Sequence, residues 1–416
     1  MVSLLEYPFF QAGDSLLPGF FPGGSTPVDF IVRDFAVIMI VAAIMLLITF
    51  KLKQPMVLGY LVAGIIIGPH TPPFSYVSDV NTLNLLAELG IIMLLFVVGT
   101  EFPITKLRAL GRISIIVALV ESLGTLVIVF LISRTLAFSF FDSLFLALAM
   151  SITSTVVTVR VLEELGMIND ESSILLLGIS IVEDIIAIAA LGVLQSLAVA
   201  GGVAFLPNAV ILISIVAAFI GITLFFGSKF LPAMIDRVGS TNDHALLLIV
   251  ILGLAFGLSF IAKGLGLSVA TGAFLAGVMV AESKSATISK AVTVPLRDMF
   301  AAIFFISMGA LMDISLIPAF IVPAIIVILT SFASKLLIVT GLLTRAKYGH
   351  ITSLRAGLGM SAAKGELSLV VVKGGQDVGA ITAAIFPILG VVTIVTTFMA
   401  PYLLRFGSKL RSTANE

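Results

Sequence analysis

The chain has 416 residues; 59% are hydrophobic and only 11% charged, and the mean hydropathy is +1.23. Water-facing domains carry about 25% charged residues, so a soluble enzyme and a disordered chain are both excluded. The 23 basic and 23 acidic residues cancel, which gives no footprint for nucleic acid, and the absence of cysteine removes disulfides, thiolate chemistry and Cys-ligated metals.

Apolar stretches long enough to cross a roughly 30 Å hydrocarbon layer as helices recur along the chain. They are continuous rather than alternating, so an all-α polytopic membrane protein with about thirteen transmembrane helices is predicted. In chain order they cover 30–50, 55–68, 83–99, 113–133, 141–162, 172–199, 207–231, 244–262, 267–281, 295–312, 316–343, 354–372 and 381–404. Residues 1–29 hold no Lys or Arg, so they lack the basic start of a signal peptide and are read as an extracellular or interfacial segment. Seventeen basic residues, among them Lys51, Arg112, Arg237, Arg297 and Arg405, fall on the side where stretch 1 ends. Arg33, Arg134, Lys263 and Lys373 fall on the other. That bias predicts a plasma-membrane protein with its N-terminus outside and its C-terminus in the cytoplasm.

The second stretch shares Gly, Ala and Gly in register with the ninth, at an offset of 213 residues (Gly59, Ala63, Gly64 against Gly272, Ala276, Gly277). The third ends Phe96-Val97-Val98-Gly99 and the tenth carries Ile306-Ser307-Met308-Gly309, at an offset of 210. Seven helices separate the copies. An odd number inverts the second copy in the membrane, and inverted repeats mark secondary transporters with a site at the midplane. Stretch 5 carries Ser151-Ile152-Thr153-Ser154-Thr155, and stretch 12 carries Gly357 to Glu366, at corresponding places in the two halves. Small and hydroxyl residues there predict two interrupted helices, whose freed carbonyls and half-helix ends can bind ions. Close helix packing would use the same residues.

Charges deep in a bilayer cost several kcal/mol, about 2.5–3.5 on insertion scales, and are functional candidates by default. Here they are Glu121, the pair Glu183-Asp184, Lys335, and Lys364 with Glu366. Neighbouring residues point about 100° apart on a helix, so one acid of the pair can face an ion path while the other pairs elsewhere. Lys335 is expected to pair with Glu183, with Glu121 the rival. Lys364 and Glu366 are read as a local clamp across the break in stretch 12 or as part of the transport path. The histidines His70, His244 and His350 have no metal-ligand spacing.

The sequence resembles the cation:proton antiporter-2 family, which includes Kef-type potassium/proton systems and NapA-type sodium/proton antiporters. The resemblance is carried by Gln54 to Gly64, Leu86-Ala87-Glu88-Leu89-Gly90, Leu94-Leu95-Phe96, Phe304 to Gly309 and Lys364-Gly365-Glu366-Leu367. It implies an NhaA/NapA-like fold in which helices 5 and 12 are broken and cross near the midplane. It also implies a scaffold that forms a homodimer (30–110 and 233–314), a moving core (111–200 and 315–405) and a linker helix (201–232). Kef-like members often end in a soluble nucleotide-binding domain, whereas here a short cytoplasmic tail (406–416) without a soluble regulatory domain is expected. Asp184 matches the family's cation- and proton-binding aspartate, and Lys335 the lysine that pairs with the first acid. Glu183 departs from the family's Asp or Gln at that place. The cation, Na⁺ or K⁺, is expected at Asp184 and Glu183, with Thr153, Ser154 and Thr155 supplying hard oxygen ligands. Lys335, Lys364, Glu366 and Glu121 would compensate charge.

The leading function is antiport of Na⁺ or K⁺ against H⁺ by an elevator-like alternating-access movement, with no cofactor and no enzymatic step. A gated cation channel would need a continuous polar lining, whereas the polar residues here concentrate at one depth. A proton- or sodium-coupled solute symporter on the same fold is the remaining alternative. An intramembrane protease is disfavoured, because Asp184 has no second Asp near the middle of another predicted span. Lys335 is expected to lose its proton when a cation arrives, which makes exchange electrogenic; if its pairing is instead permanent, exchange is electroneutral.

Overall fold

The computed structural model describes residues 27–52, 54–71, 76–77, 79–100, 111–199, 230–241, 243–265, 269–313, 315, 317–382 and 384–409, with isolated positions between 218 and 225. Among these residues the regular elements are all α-helices. The first half contains α1 (Pro27–Leu52), α2 (Met56–Ile67), α3 (Val80–Thr100), α4 (Arg112–Thr135), α5 (Phe140–Met150), α6 (Thr155–Glu164) and α7 (Glu171–Val199). The second contains α8 (Leu231–Gly239), α9 (His244–Gly264), α10 (Val269–Ala281), α11 (Ala286–Ala310), α12 (Ile317–Arg345), α13 (His350–Ala362), α14 (Glu366–Asp377) and α15 (Ile385–Lys409). Among the described residues, eight helices are long and apolar enough to cross a membrane.

Most predicted stretches map onto single helices. The fifth and twelfth are each two half-helices, α5/α6 and α13/α14, of 10 to 13 residues. At 1.5 Å per residue each half reaches about 15–20 Å, roughly half the bilayer. The tenth stretch begins earlier than its proline suggested. α11 starts at Ala286 and carries Pro295 in its interior, which neighbouring helices make tolerable in a packed membrane bundle. The short helix α8 was not anticipated. Its Asp236 carboxylate accepts the Ser285 N–H at 2.9 Å, just before α11. The seventh stretch, most of the first 29 residues and the last seven lie outside the described residues.

The helices sort into two bundles. In the frame, α2 packs on α1 and α11, α3 on α10 and α11, and α9 on α10. In the core bundle, α4 packs on α5, α7 and α12, while α13 packs on α7, α12 and α15. α14 lies against α5 and α7. The bundles meet where α10 touches α7 and α2 touches α15.

Glycines set how closely the frame helices cross. A Cβ on Gly64 would lie 2.1 Å from the Ile306 carbonyl oxygen, and one on Gly309 2.3 Å from that of Leu61, so α2 and α11 cross backbone to backbone. α3 and α10 do the same: a Cβ on Gly99 would be 2.2 Å from the Phe274 oxygen, and one on Gly277 2.0 Å from the Phe96 oxygen. These are the glycines aligned by the two sequence offsets. Each first-half helix crosses the counterpart of its neighbour.

Apolar packing between the bundles is one-sided. A single buried body joins frame residues such as Leu95, Phe274 and Phe304 to one end of the core bundle: Ala187, Ile188, Leu191, Val370, Phe386 and Leu389. In the same seam Met312 fills a notch at Gly390, where a Cβ would come within 2.3 Å of the Met312 sulfur. At the other end, near Arg112, Arg345 and Arg405, the core bundle packs only on itself. Val117, Leu176, Ile179, Val339 and Met360 form one cluster, and Val161, Leu162 and Leu404 another. Neither holds a frame residue among the described ones.

Candidate functional site

The two broken helices meet at their links. Between α5 and α6, residues 151–154 leave the helical path; between α13 and α14, residues 363–365 do so. The Ser154 N–H donates to the Ala363 carbonyl at 2.9 Å, and the Thr153 hydroxyl to the Met360 carbonyl at 2.7 Å. Gly365 lies so close to Ser154 that a Cβ would fall 2.3 Å from its Oγ. Only a residue without a side chain lets the links approach in this way.

A helix ends with unpaired carbonyls and a partial negative charge. At the end of α5 these carbonyls, and those just beyond it, are met by side chains from α12, from α14 and from the link before α14. Ser368 Oγ donates to Ala149 O at 2.8 Å, and Ser331 Oγ to Met150 O at 2.8 Å. Lys364 Nζ donates to Met150 O at 2.6 Å and to Ile152 O at 3.0 Å. Lys335 Nζ donates to Ser151 O at 2.7 Å. Two buried ammonium groups thus sit on three successive carbonyls.

Lys335 also gathers the acids. Its Nζ lies 2.7 Å from Glu183 Oε1, 2.9 Å from Glu121 Oε1 and 3.0 Å from the Thr153 hydroxyl. All three charged side chains are fully enclosed. Glu121 accepts a further bond from Thr125 Oγ1 at 2.9 Å, and Glu183 Oε2 accepts the Thr153 N–H at 3.1 Å. The two partners expected as rivals for Lys335 are therefore held at once.

Asp184 turns from this cluster, as adjacent positions on one helix require. Its Oδ2 accepts the Thr155 hydroxyl at 3.0 Å, at the first turn of α6. Of the three hydroxyl residues singled out in stretch 5, Thr155 meets Asp184. The Thr153 hydroxyl is engaged at the crossing, and Ser154 caps α6 by accepting the Val157 N–H at 3.4 Å. Lys364 reaches the α5 carbonyls and, among the described residues, no carboxylate lies in ion-pair contact with it. Glu366 occupies the first position of α14, but its side chain, and so the expected clamp to Lys364, lies outside the described residues.

Counted with Asp184, which stands beside the crossed links, three buried carboxylates (Glu121, Glu183, Asp184) and two buried ammonium groups (Lys335, Lys364) gather here. The described cluster carries a formal excess of one negative charge, which one proton or one monovalent cation neutralises. Its oxygen donors are hard ligands of the kind alkali cations prefer. No three His, Asp or Glu side chains gather as a metal site among the described residues. Four contributors were not foreseen from sequence: Ser331, Ser368, Thr396 and Thr397. Their signal was weak, a hydroxyl within an apolar helix at the depth of a link.

The family described as "Sodium/hydrogen exchanger, transmembrane" matches residues 36–406. The chain is 33% identical over 282 residues to YbaL of Escherichia coli (strain K12), covering 66% of this chain and 50% of that protein, so it spans half of YbaL's length. It is 26% identical to the High-affinity Na(+)/H(+) antiporter NhaS3 of Synechocystis sp., over 85% of this chain and 77% of the relative. It is 26% identical to the K(+)/H(+) antiporter subunit KhtU of Bacillus subtilis, over 94% and 96%. The solved structure of the sodium proton antiporter MjNhaP1 from Methanocaldococcus jannaschii superposes with a TM-score of 0.69 at 18% identity, covering 92% of this chain and 97% of that one. That similarity shows a common fold.

Proposed function

The chain belongs to the transmembrane sodium/hydrogen exchanger family, and we propose that it exchanges a monovalent cation, Na⁺ or K⁺, for protons across the membrane. The observation that carries this reading is buried Asp184, bonded by the Thr155 hydroxyl beside the crossed links, among described charged groups with one negative charge in excess. A proton and a cation compete for that charge, and competition at one site is what couples their opposite movements. In this scheme Asp184 binds either one, and Thr155 with the link carbonyls completes the cation's oxygen shell.

Lys335 and Lys364 hold the α5 end in place. Lys335 keeps its partners through the cycle, because losing its proton would leave two buried carboxylates without a counter-ion. Asp184 alone then cycles and exchange is electroneutral. The core bundle carries the site by moving against the frame. The excess of Lys and Arg on one face orients that face to the cytoplasm, and the frame pairs with a second copy in the plasma membrane. The glycine crossings that join each first-half helix to its neighbour's counterpart support an inverted repeat. The chain acts as a carrier, without enzymatic chemistry or cofactor.

The test is proteoliposome exchange with an internal pH dye. Wild type moves protons when Na⁺ or K⁺ is added, with no dependence on an imposed membrane potential. Asp184→Asn moves none while remaining folded. Substantial cation-driven proton movement by Asp184→Asn sinks the assignment.

A further inference from the structure

The link between α5 and α6 has an obvious holder: α7, whose Glu183 takes the Thr153 N–H. The link between α13 and α14 has one too, and it carries no charge. Lys364 lies between two helices, so neither its N–H nor its carbonyl belongs to a helical ladder, and a buried unpaired peptide group is costly. Both are taken by α15. The Lys364 N–H donates to the Thr396 hydroxyl at 3.1 Å, and the Thr397 hydroxyl donates to the Lys364 carbonyl at 3.0 Å. Thr396 uses its own proton on the Val392 carbonyl at 2.8 Å, so its hydroxyl both accepts and donates. Both threonines are buried. In each half, the long helix following a broken pair hands side chains to the peptide groups of the break.

We propose that Thr396 and Thr397 are positioning residues for cation binding: they fix the Lys364 peptide so that its ammonium stays on the Met150 and Ile152 carbonyls. The side chain of Lys364 is a tether of four methylenes. Where its ammonium lies depends on where its backbone is held. Those carbonyls flank Ser151 and run directly into Thr153–Thr155, the segment that meets Asp184. If the peptide shifts, the ammonium leaves the end of α5, and the adjoining oxygens lose the arrangement that receives the cation. A threonine in an apolar helix usually satisfies its hydroxyl on its own i−4 carbonyl. Thr397 spends its proton on the link of the broken pair instead, which marks it as more than filler.

This inference rests on the exchange reading above. Its test is cation-dependent proton exchange in liposomes, measured as KM and kcat for Na⁺ and K⁺. The variants are Thr396→Val and Thr397→Val, which keep shape and lose the hydroxyl, and Thr396→Ser and Thr397→Ser, which keep it. Loss of one buried hydrogen bond is expected to raise KM roughly five- to tenfold with kcat changed less than twofold, and serine is expected to restore the wild-type KM. A merely structural role would lower the yield of folded protein and spare KM. Should a valine variant not be recovered from membranes, Thr397→Ala against Thr397→Ser supplies the same contrast. Wild-type exchange with unchanged KM in the valine or alanine variants overturns the inference alone. A wild type that moves neither cation overturns the exchange reading and this inference with it.

Discussion

At the scale of single residues, Lys335 illustrates why a buried ion cluster resists piecemeal change. One ammonium serves Glu121, Glu183, the Ser151 carbonyl and the Thr153 hydroxyl. Removing one partner of a buried pair costs about 3–5 kcal/mol, because the remaining charge stays in a poor solvent, whereas neutralising the whole set is far milder. Lys335→Met is therefore expected to lower the thermal unfolding midpoint in detergent markedly, read by circular dichroism. Adding Glu121→Gln and Glu183→Gln should recover most of the loss. A single variant as stable as wild type would mean that the ammonium does not hold the carboxylates. The sequence made this lysine and its acids conspicuous, since charge is scarce in an apolar chain. It offered Glu183 and Glu121 as alternatives because pattern along a chain cannot show that one ammonium has room for both. Thr396 and Thr397 were illegible for the opposite reason: threonines are ordinary in membrane helices, and only the third dimension shows what they bond.

At the scale of elements, the legible features were those written in glycine. The offsets of 213 and 210 residues align Gly64 with Gly277 and Gly99 with Gly309, and the structure uses all four at helix crossings. The half-helix boundaries were less legible, because an apolar run reads as continuous whether or not its backbone is; only the hydroxyl and glycine clusters hinted at the links. The crossings yield a matched pair of expectations. Gly277→Val puts a branched side chain where a Cβ already lies 2.0 Å from a backbone oxygen. Forced overpacking costs about 1–3 kcal/mol or more when backbone has to move, so this variant should unfold at lower temperature. Gly257→Val, on α9, meets nothing within 4 Å and should unfold like wild type. Equal stability of the two variants would contradict the crossing.

At the scale of the whole molecule, the one-sided apolar seam bears on the proposed movement of the core bundle against the frame. Frame and core bundle are joined through Ala187, Ile188 and Leu191 beyond Asp184. Toward Glu171, the buried residues Leu175, Leu176 and Ile179 of α7 lie in a cluster that holds no frame residue among the described ones. In the exchange scheme proposed above, the site is then closed toward the Val199 end of α7 and opens toward the basic side. Because the chain contains no cysteine, single introduced cysteines report directly. Thr155→Cys is expected to react with a membrane-impermeant thiol reagent applied from the basic face. Leu191→Cys is expected to stay protected from both faces. Labelling of Leu191→Cys from the other face, with Thr155→Cys protected, would place the closure on the wrong side.

The same seam, with Met312 set into the notch at Gly390, would also give the proposed exchange a thermal character. If the core bundle moves against the frame as proposed, the seam has to part, and water then meets apolar surface that was dry. Hydrating apolar surface raises heat capacity by about 0.45 cal/K/mol per Å². A barrier crossed with the seam open therefore has a positive activation heat capacity. Its activation enthalpy climbs on warming, so that within a fluid bilayer an Arrhenius plot of exchange steepens toward high temperature instead of running straight.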